Sequence, residues 1–139
     1  MAGSFTTRSQ EETIQLASRF ASCLNPGDII CLQGDLGSGK TSCVKGLVSQ
    51  TDPKNVVSPT FNYLNIYQGP VPVFHFDLYR LKNSDDFLSM GFEEYLYSDG
   101  ICCIEWFERI LPILPQNSFL IDIKVLSYET REITLSNPS

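Results

Sequence analysis

This sequence predicts an α/β fold in which helices cover both faces of a mixed, partly antiparallel central sheet. Three observations predict it. A strand-like run, Ile29-Ile30-Cys31-Leu32-Gln33, passes through a glycine-rich turn into a helix-like run at residues 39–50, the alternation that builds layered α/β domains. The run Gly100-Ile101-Cys102-Cys103-Ile104 is apolar almost throughout, as a central strand covered on both faces must be. Two pairs of segments rich in aromatic and β-branched residues, 61–67 with 71–76 and 119–126 with 131–135, are each joined by a short turn, so hairpins add antiparallel strands to the sheet.

The other elements follow in order. Ser9-Gln10-Glu11-Glu12 has the form of a capping box, and Ile14, Ala17, Phe20, Ala21 and Leu24 recur at helical spacing up to Asn25-Pro26-Gly27; the spacing predicts a helix over 10–24. Residues 51–60 contain two prolines and end in Ser58-Pro59-Thr60, which predicts an irregular segment. Gln68-Gly69-Pro70 is the turn of the first hairpin, and Ser84 to Met90 and Phe92 to Tyr97 are short helical pieces separated by Gly91. No repeat, linker or low-complexity stretch divides the chain, so residues 1–139 are expected to form one domain.

Composition narrows the partners. An apolar content of 42% and a charged content of 19% are those of a soluble globule. The formal charge of −6, with basic residues scattered and never in a run, argues against strong independent binding to DNA or RNA. Five cysteines lie within apolar runs without a C-x-x-C pair, as buried thiols of a reducing cytoplasm do. The N-terminus lacks a signal-peptide layout and no apolar run reaches the length of a membrane span. The expected location is cytoplasmic, with no membrane partner.

The glycine-rich turn carries the chemistry. Gly34-Asp35-Leu36-Gly37-Ser38-Gly39-Lys40-Thr41 completes the G-x-x-x-x-G-K-[ST] signature in the strand-loop-helix setting it requires, which makes the predicted fold a three-layer P-loop NTPase-like one. Glycines at 34, 37 and 39 let successive N–H groups turn inward around a phosphate chain. The expected nucleotide-binding residues are Gly37, Ser38, Gly39, Lys40, Thr41 and Ser42; Lys40 reaches the β- and γ-phosphates and Thr41 ligates Mg²⁺.

Such a loop needs an acid at the end of a neighbouring strand. Asp77 follows Val73-Phe74-His75-Phe76, and Glu105 follows the more apolar run 101–104, which should lie beside the P-loop strand. Glu105 is therefore favoured at Mg²⁺, directly or through water, with Asp77 orienting water or the metal shell; the alternative for each is a surface carboxylate at a strand end. His75 shares a strand face with Asp77 and reads as a structural hydrogen-bond partner. Arg80 either neutralises phosphate or pairs with a carboxylate. Trp106 either covers a nucleotide or partner surface or belongs to the core. Arg131 either reaches the base or ribose or is an exposed strand arginine. Thr60 either faces the nucleotide as a switch threonine or ends a plain loop.

In order along the chain, the P-loop, Ser58-Pro59-Thr60-Phe61, His75-Phe76-Asp77-Leu78-Tyr79-Arg80, Gly91-Phe92-Glu93-Glu94-Tyr95 and Ile104-Glu105-Trp106 resemble the TsaE (YjeE) family of P-loop ATPases, bacterial proteins needed to form threonylcarbamoyladenosine (t6A) in tRNA. The resemblance implies that Lys40 and Thr41 bind ATP and Mg²⁺, that Thr60 belongs to a switch-like loop, that Asp77 is the Walker-B-type acid, and that Glu105 and Trp106 are functionally required. It also implies two partner proteins, TsaB and TsaD, with TsaD carrying the transfer chemistry, tRNA held mainly by those partners, and ATP hydrolysis that resets their complex. Phe107, where a smaller residue or proline is expected, and Cys43 after Ser42 depart from the family pattern without removing a phosphate contact.

Three other functions compete. A small metabolite kinase needs an arginine cluster on the transferred phosphate, which the chain lacks. A GTPase-like switch needs N-K-x-D and D-x-x-G motifs, which are also missing. A nucleotide-binding scaffold that never hydrolyses needs neither.

Overall fold

The computed structural model describes residues 2–35, 37–51, 56–60 as backbone, and 63–137. Among them, eight strands form one sheet, with helices on both faces. In chain order these are β1 (Gly3–Thr7), α1 (Gln10–Ala21), β2 (Ile29–Gly34), α2 (Lys40–Leu47), β3 (Val56–Thr60), β4 (Leu64–Tyr67), β5 (Val73–Asp77), α3 (Ser84–Ser89), α4 (Glu93–Leu96), β6 (Ile101–Glu105), a 3₁₀ segment (Phe107–Ile113), β7 (Phe119–Val125) and β8 (Arg131–Ser136). The strand order is β1-β8-β7-β2-β6-β5-β4-β3. Strands β5, β6, β2 and β7 run parallel, and antiparallel strands extend the sheet at both edges. The expected mixed, three-layer α/β fold is the one observed.

Alternation along the parallel strands divides the core. Ile30, Leu32, Cys103, Ile121 and Ile133 face α1 and α2, meeting Leu16, Phe20, Val44 and Leu47. Ile29, Phe74, Phe76, Cys102 and Ile104 face the opposite side, where α3, α4 and the 3₁₀ segment cover them. There Phe76 packs its ring 5.5 Å from Phe87 and 5.3 Å from Phe92, centroid to centroid. Each fully buried side chain of this size contributes roughly 1.5–3 kcal/mol by leaving water. On the first face α1 and α2 cross closely at Gly46, where a Cβ would overlap the Ile14 carbonyl oxygen and the Ala17 Cβ.

The Ser9 half of the capping box forms, Ser9 Oγ accepting the Glu12 N–H at 3.1 Å, while the Glu12 carboxylate accepts the N–H of Arg8, one residue before the cap, at 2.9 Å. The helix stops at Ala21 and not at 24, because its last turn tightens, with Cys23 N–H on Phe20 O at 3.0 Å and Leu24 N–H on Ala21 O at 3.1 Å. This early stop also corrects the expectation that all five cysteines are buried, since Cys23 falls in the following turn and is exposed. Likewise α2 ends at Leu47, short of residue 50.

Two strands were not expected. β1 pairs with β8, and β3 lies in the segment read as irregular, pairing with β4 across a register shift between Val57 and Thr60. Pro59 is tolerated there because β3 is an edge strand, where one backbone N–H needs no partner in the sheet. Residues 52–55, also read as irregular, lie outside the described residues.

Candidate nucleotide site

The parallel strands β2, β6 and β5 end side by side, and their last residues are Gly34, Glu105 and Asp77. Ile101 and Cys103 point to the α2 face, so Glu105, two residues on, emerges from that face at the strand end. His75 and Asp77 follow Val73 onto the same face by the same alternation. The P-loop leaves β2 at this edge and turns into α2. A crevice beyond the carboxyl ends of parallel strands is the usual ligand position of such sheets.

The start of α2 is built for an anion. Gly39 caps it at φ 111° with no side-chain hydrogen bond, and its first turn carries no acid. By contrast α1 and α3 start with side-chain caps and two acids each. The N–H groups and positive end of α2 therefore remain available to negative charge. In front of them lies a cleft of about 1050 Å³, lined by the P-loop with Lys40, Thr41, His75, Asp77, Glu105 and Trp106, at the upper end of the usual size for ligand sites.

The charges of the cleft meet at Glu105. Its Oε1 is 3.7 Å from Lys40 Nζ, and its Oε2 is 2.7 Å from His75 Nε2. Burial pushes the Glu105 carboxyl up, but the hydrogen bond from His75, the His75 charge and Lys40 together outweigh burial and leave it below the ordinary carboxylate range. Asp77, in register with Glu105, is exposed and accepts the Tyr79 N–H at 3.2 Å. Thr41 is exposed at the first turn of α2, while Ser42 is buried. The donor set suits Mg²⁺: a hard cation takes oxygen ligands, which the Thr41 hydroxyl and the Glu105 and Asp77 carboxylates supply, and it draws the remainder from phosphate and water.

Trp106 follows with the backbone at φ 60° and ψ 41°, the sole positive φ outside glycine among the described residues. Strain of this kind persists where surrounding contacts over-determine it. Here Lys40 and Arg109 each sit over the indole at 5.5 Å, and the Tyr79 ring lies 5.0 Å from it. Trp106 is 38% exposed at the cleft wall, outside the core.

The sequence-predicted residues thus separate. Gly37, Gly39, Lys40, Thr41, Ser42, Asp77, Glu105 and Trp106 line one cleft, while Ser38 is buried within the loop. Arg80 is exposed and forms no ion pair among the described residues. Thr60 ends β3, and its side chain lies outside the described residues. Arg131, read either as reaching base or ribose or as an exposed strand arginine, has its guanidinium on the P-loop carbonyls of Ser38 and Gly37. Sequence reasoning gave His75 no link to Glu105 and missed Tyr79 and Arg109 beside Trp106. The first depends on which strands lie side by side and the second on how the turn after β5 and the 3₁₀ segment pack, neither of which leaves a signal in periodicity.

The sequence model of the family described as "Threonylcarbamoyl adenosine biosynthesis protein TsaE" matches residues 7–133. The chain belongs to the TsaE family. It is 37% identical to the tRNA threonylcarbamoyladenosine biosynthesis protein TsaE of Treponema pallidum over 131 residues, covering 94% of this chain and 97% of that one. To the Bacillus subtilis protein of the same name it is 37% identical over 132 residues, covering 94% and 82%. The crystal structure of Bacillus subtilis YdiB superimposes with a TM-score of 0.81 at 32% identity, covering 100% of this chain and 88% of that chain. A TsaE-family protein is thus a P-loop-type protein of t6A biosynthesis, and its sheet and P-loop are those described above. Among the described residues no helix is long and apolar enough to cross a membrane.

Proposed function

We propose that the chain is the ATPase subunit of a t6A-forming system: it binds ATP with Mg²⁺, hydrolyses it slowly alone and faster with TsaB and TsaD, and by hydrolysis resets their complex. The observation that carries this reading is the convergence of Lys40, Glu105 and His75 beneath a P-loop whose helix starts uncapped by any side chain.

In this mechanism the P-loop N–H groups and Lys40 hold the β- and γ-phosphates and offset their charge. Thr41 and Glu105 would hold Mg²⁺, which would supply further neutralisation of the phosphate oxygens when bound. His75 keeps the Glu105 carboxylate turned and ionised through the 2.7 Å contact. Asp77, at the exposed strand end, orients the attacking water. Water adds to the γ-phosphorus as the bond to the β–γ bridging oxygen breaks, giving ADP and inorganic phosphate, which takes up the water proton. Thr60 and Arg80 act as switch or partner residues, and Trp106 forms a wall shared by nucleotide and partner.

With a net charge of −6 the chain leaves tRNA to its partners, in the cytoplasm. The test is phosphate release from ATP, alone and with TsaB and TsaD. Release that rises with partners and needs no small-molecule acceptor supports the reading. Phosphate transfer to a metabolite faster than hydrolysis supports a kinase, and binding without release supports a scaffold.

A further inference from the structure

Arg131 opens β8, and its guanidinium bridges two stretches of backbone. Nη1 donates to the carbonyl oxygens of Ser127 at 2.9 Å, Tyr128 at 3.1 Å and Thr130 at 3.1 Å, gathering the β7–β8 turn around it. Nε donates to Ser38 O at 2.7 Å, and Nη2 to Gly37 O at 3.4 Å. The turn thereby fixes the fork in place, and the fork grips the P-loop.

The direction of that grip has a chemical consequence. In a trans peptide the C=O and the following N–H point to opposite sides, and no cis peptide occurs among the described residues. Holding the Ser38 carbonyl therefore sends the Gly39 N–H away from Arg131. Gly39 lies between two cavities: it lines the cleft at the start of α2, whose lining does not include Arg131, and a second one of about 440 Å³, which Arg131 borders with Tyr128. The preceding peptide is held at both ends, since Ser38 N–H donates to Asp35 O at 2.9 Å. Glycine at 39 permits the φ of 111° but also permits many other orientations, so its own sterics do not hold the Ser38–Gly39 peptide; a partner must.

We propose that Arg131 is a positioning residue that locks the Ser38–Gly39 peptide in its phosphate-receiving orientation and couples it to the turn at 127–130, without touching nucleotide. This rests on the nucleotide reading above and assigns Arg131 a role different from contact with base or ribose. The two are separable, because tripolyphosphate has neither base nor ribose but presents the same phosphate chain to the loop.

The experiment titrates wild type, Arg131→Gln and Arg131→Lys with Mg²⁺-ATP and with Mg²⁺-tripolyphosphate, and follows hydrogen exchange of residues 37–40 without ligand. Arg131→Gln should weaken both ligands by about tenfold or more, as loss of charge-assisted hydrogen bonds does, and by the same factor within about twofold. Arg131→Lys, keeping charge and a single donor group, should fall between, and exchange at 37–40 should quicken while β2 and β6 stay protected. If Arg131→Gln fails to fold, the equal-loss comparison is made on Arg131→Lys. Loss confined to ATP would overturn the proposal in favour of base or ribose contact, and no loss for either ligand would overturn it outright. Wild type that binds neither ligand would remove the nucleotide reading and this inference with it.

Discussion

His75 Nε2 and Glu105 Oε2 meet at 2.7 Å across two parallel strands, although their register sets His75 opposite Cys103 and Glu105 opposite Asp77. The contact is diagonal, and it ties the charge state of the cleft to folding. The Glu105 carboxyl lies below its ordinary value in the folded protein, with burial opposed by His75 and Lys40. A depressed folded pKa adds stability that is fully present above the unfolded value and is lost as pH falls through the folded one. Urea unfolding of the ligand-free protein should therefore show an acid limb that opens at the ordinary carboxylate range, runs below it and flattens in Glu105→Gln. In His75→Ala the folded value rises toward the unfolded one, so the same limb should shrink; an unchanged limb would deny His75 its role.

The thiols divide by burial. Cys31, Cys43 and Cys102 are pushed up to about 12, chiefly by burial, and Cys103 is also raised well above the ordinary thiol value, burial first among the causes. Alkylation needs the thiolate and access to it. Iodoacetamide at neutral pH should label the native protein once, at Cys23, and all five sites after denaturation, as intact mass will show. Rapid native labelling at Cys43 would mean that α2 opens.

Helix α1 meets α2 where a Cβ at position 46 would strike backbone. Gly46→Ala should cost roughly 1–3 kcal/mol by overpacking, despite the gain in helix propensity. The reading is the urea midpoint, and a more stable variant would show that the helices part freely.

Glu105 and Asp77 differ in surroundings: the first is held by His75 and Lys40, the second is exposed at the strand end. With Glu105 at Mg²⁺ and Asp77 on water, Glu105→Ala should shift the Mg²⁺ dependence of ATP binding more than Asp77→Asn does. A Mg²⁺ titration at fixed ATP checks the order, and the reverse order would exchange the two roles.

Much of this was legible in the sequence where local rules decide. The P-loop with its flanking strand and helix, the apolar strand 101–104 beside it, and the two hairpins all follow from glycine placement, periodicity and turn residues. What escaped depends on partners distant in the chain. β1 carries one large apolar residue, Phe5, and pairs with β8 at the far end of the chain, Gly3 opposite Leu135, so nothing local marks it as a strand. β3 was hidden by its prolines, which an edge strand accepts. The 3₁₀ segment at 107–113 contains Pro112 and no clear helical period. In the site, both acids were found by their position after strands, but the His75–Glu105 contact and the grip of Arg131 on Ser38 require knowing which strands lie side by side.

The central claim is that the cleft at the P-loop holds the phosphates of ATP through Lys40. Thermal unfolding of wild type and Lys40→Ala, with and without Mg²⁺-ATP, tests it most directly. Lys40 is not among the buried core residues, so ligand-free Lys40→Ala should still fold cooperatively, its midpoint shifted only by loss of the Glu105 and Trp106 contacts. ATP at about a hundredfold over Kd should stabilise wild type by about 2.7 kcal/mol, and should leave Lys40→Ala nearly unchanged at the same concentration. Equal protection of both proteins by ATP would contradict the claim.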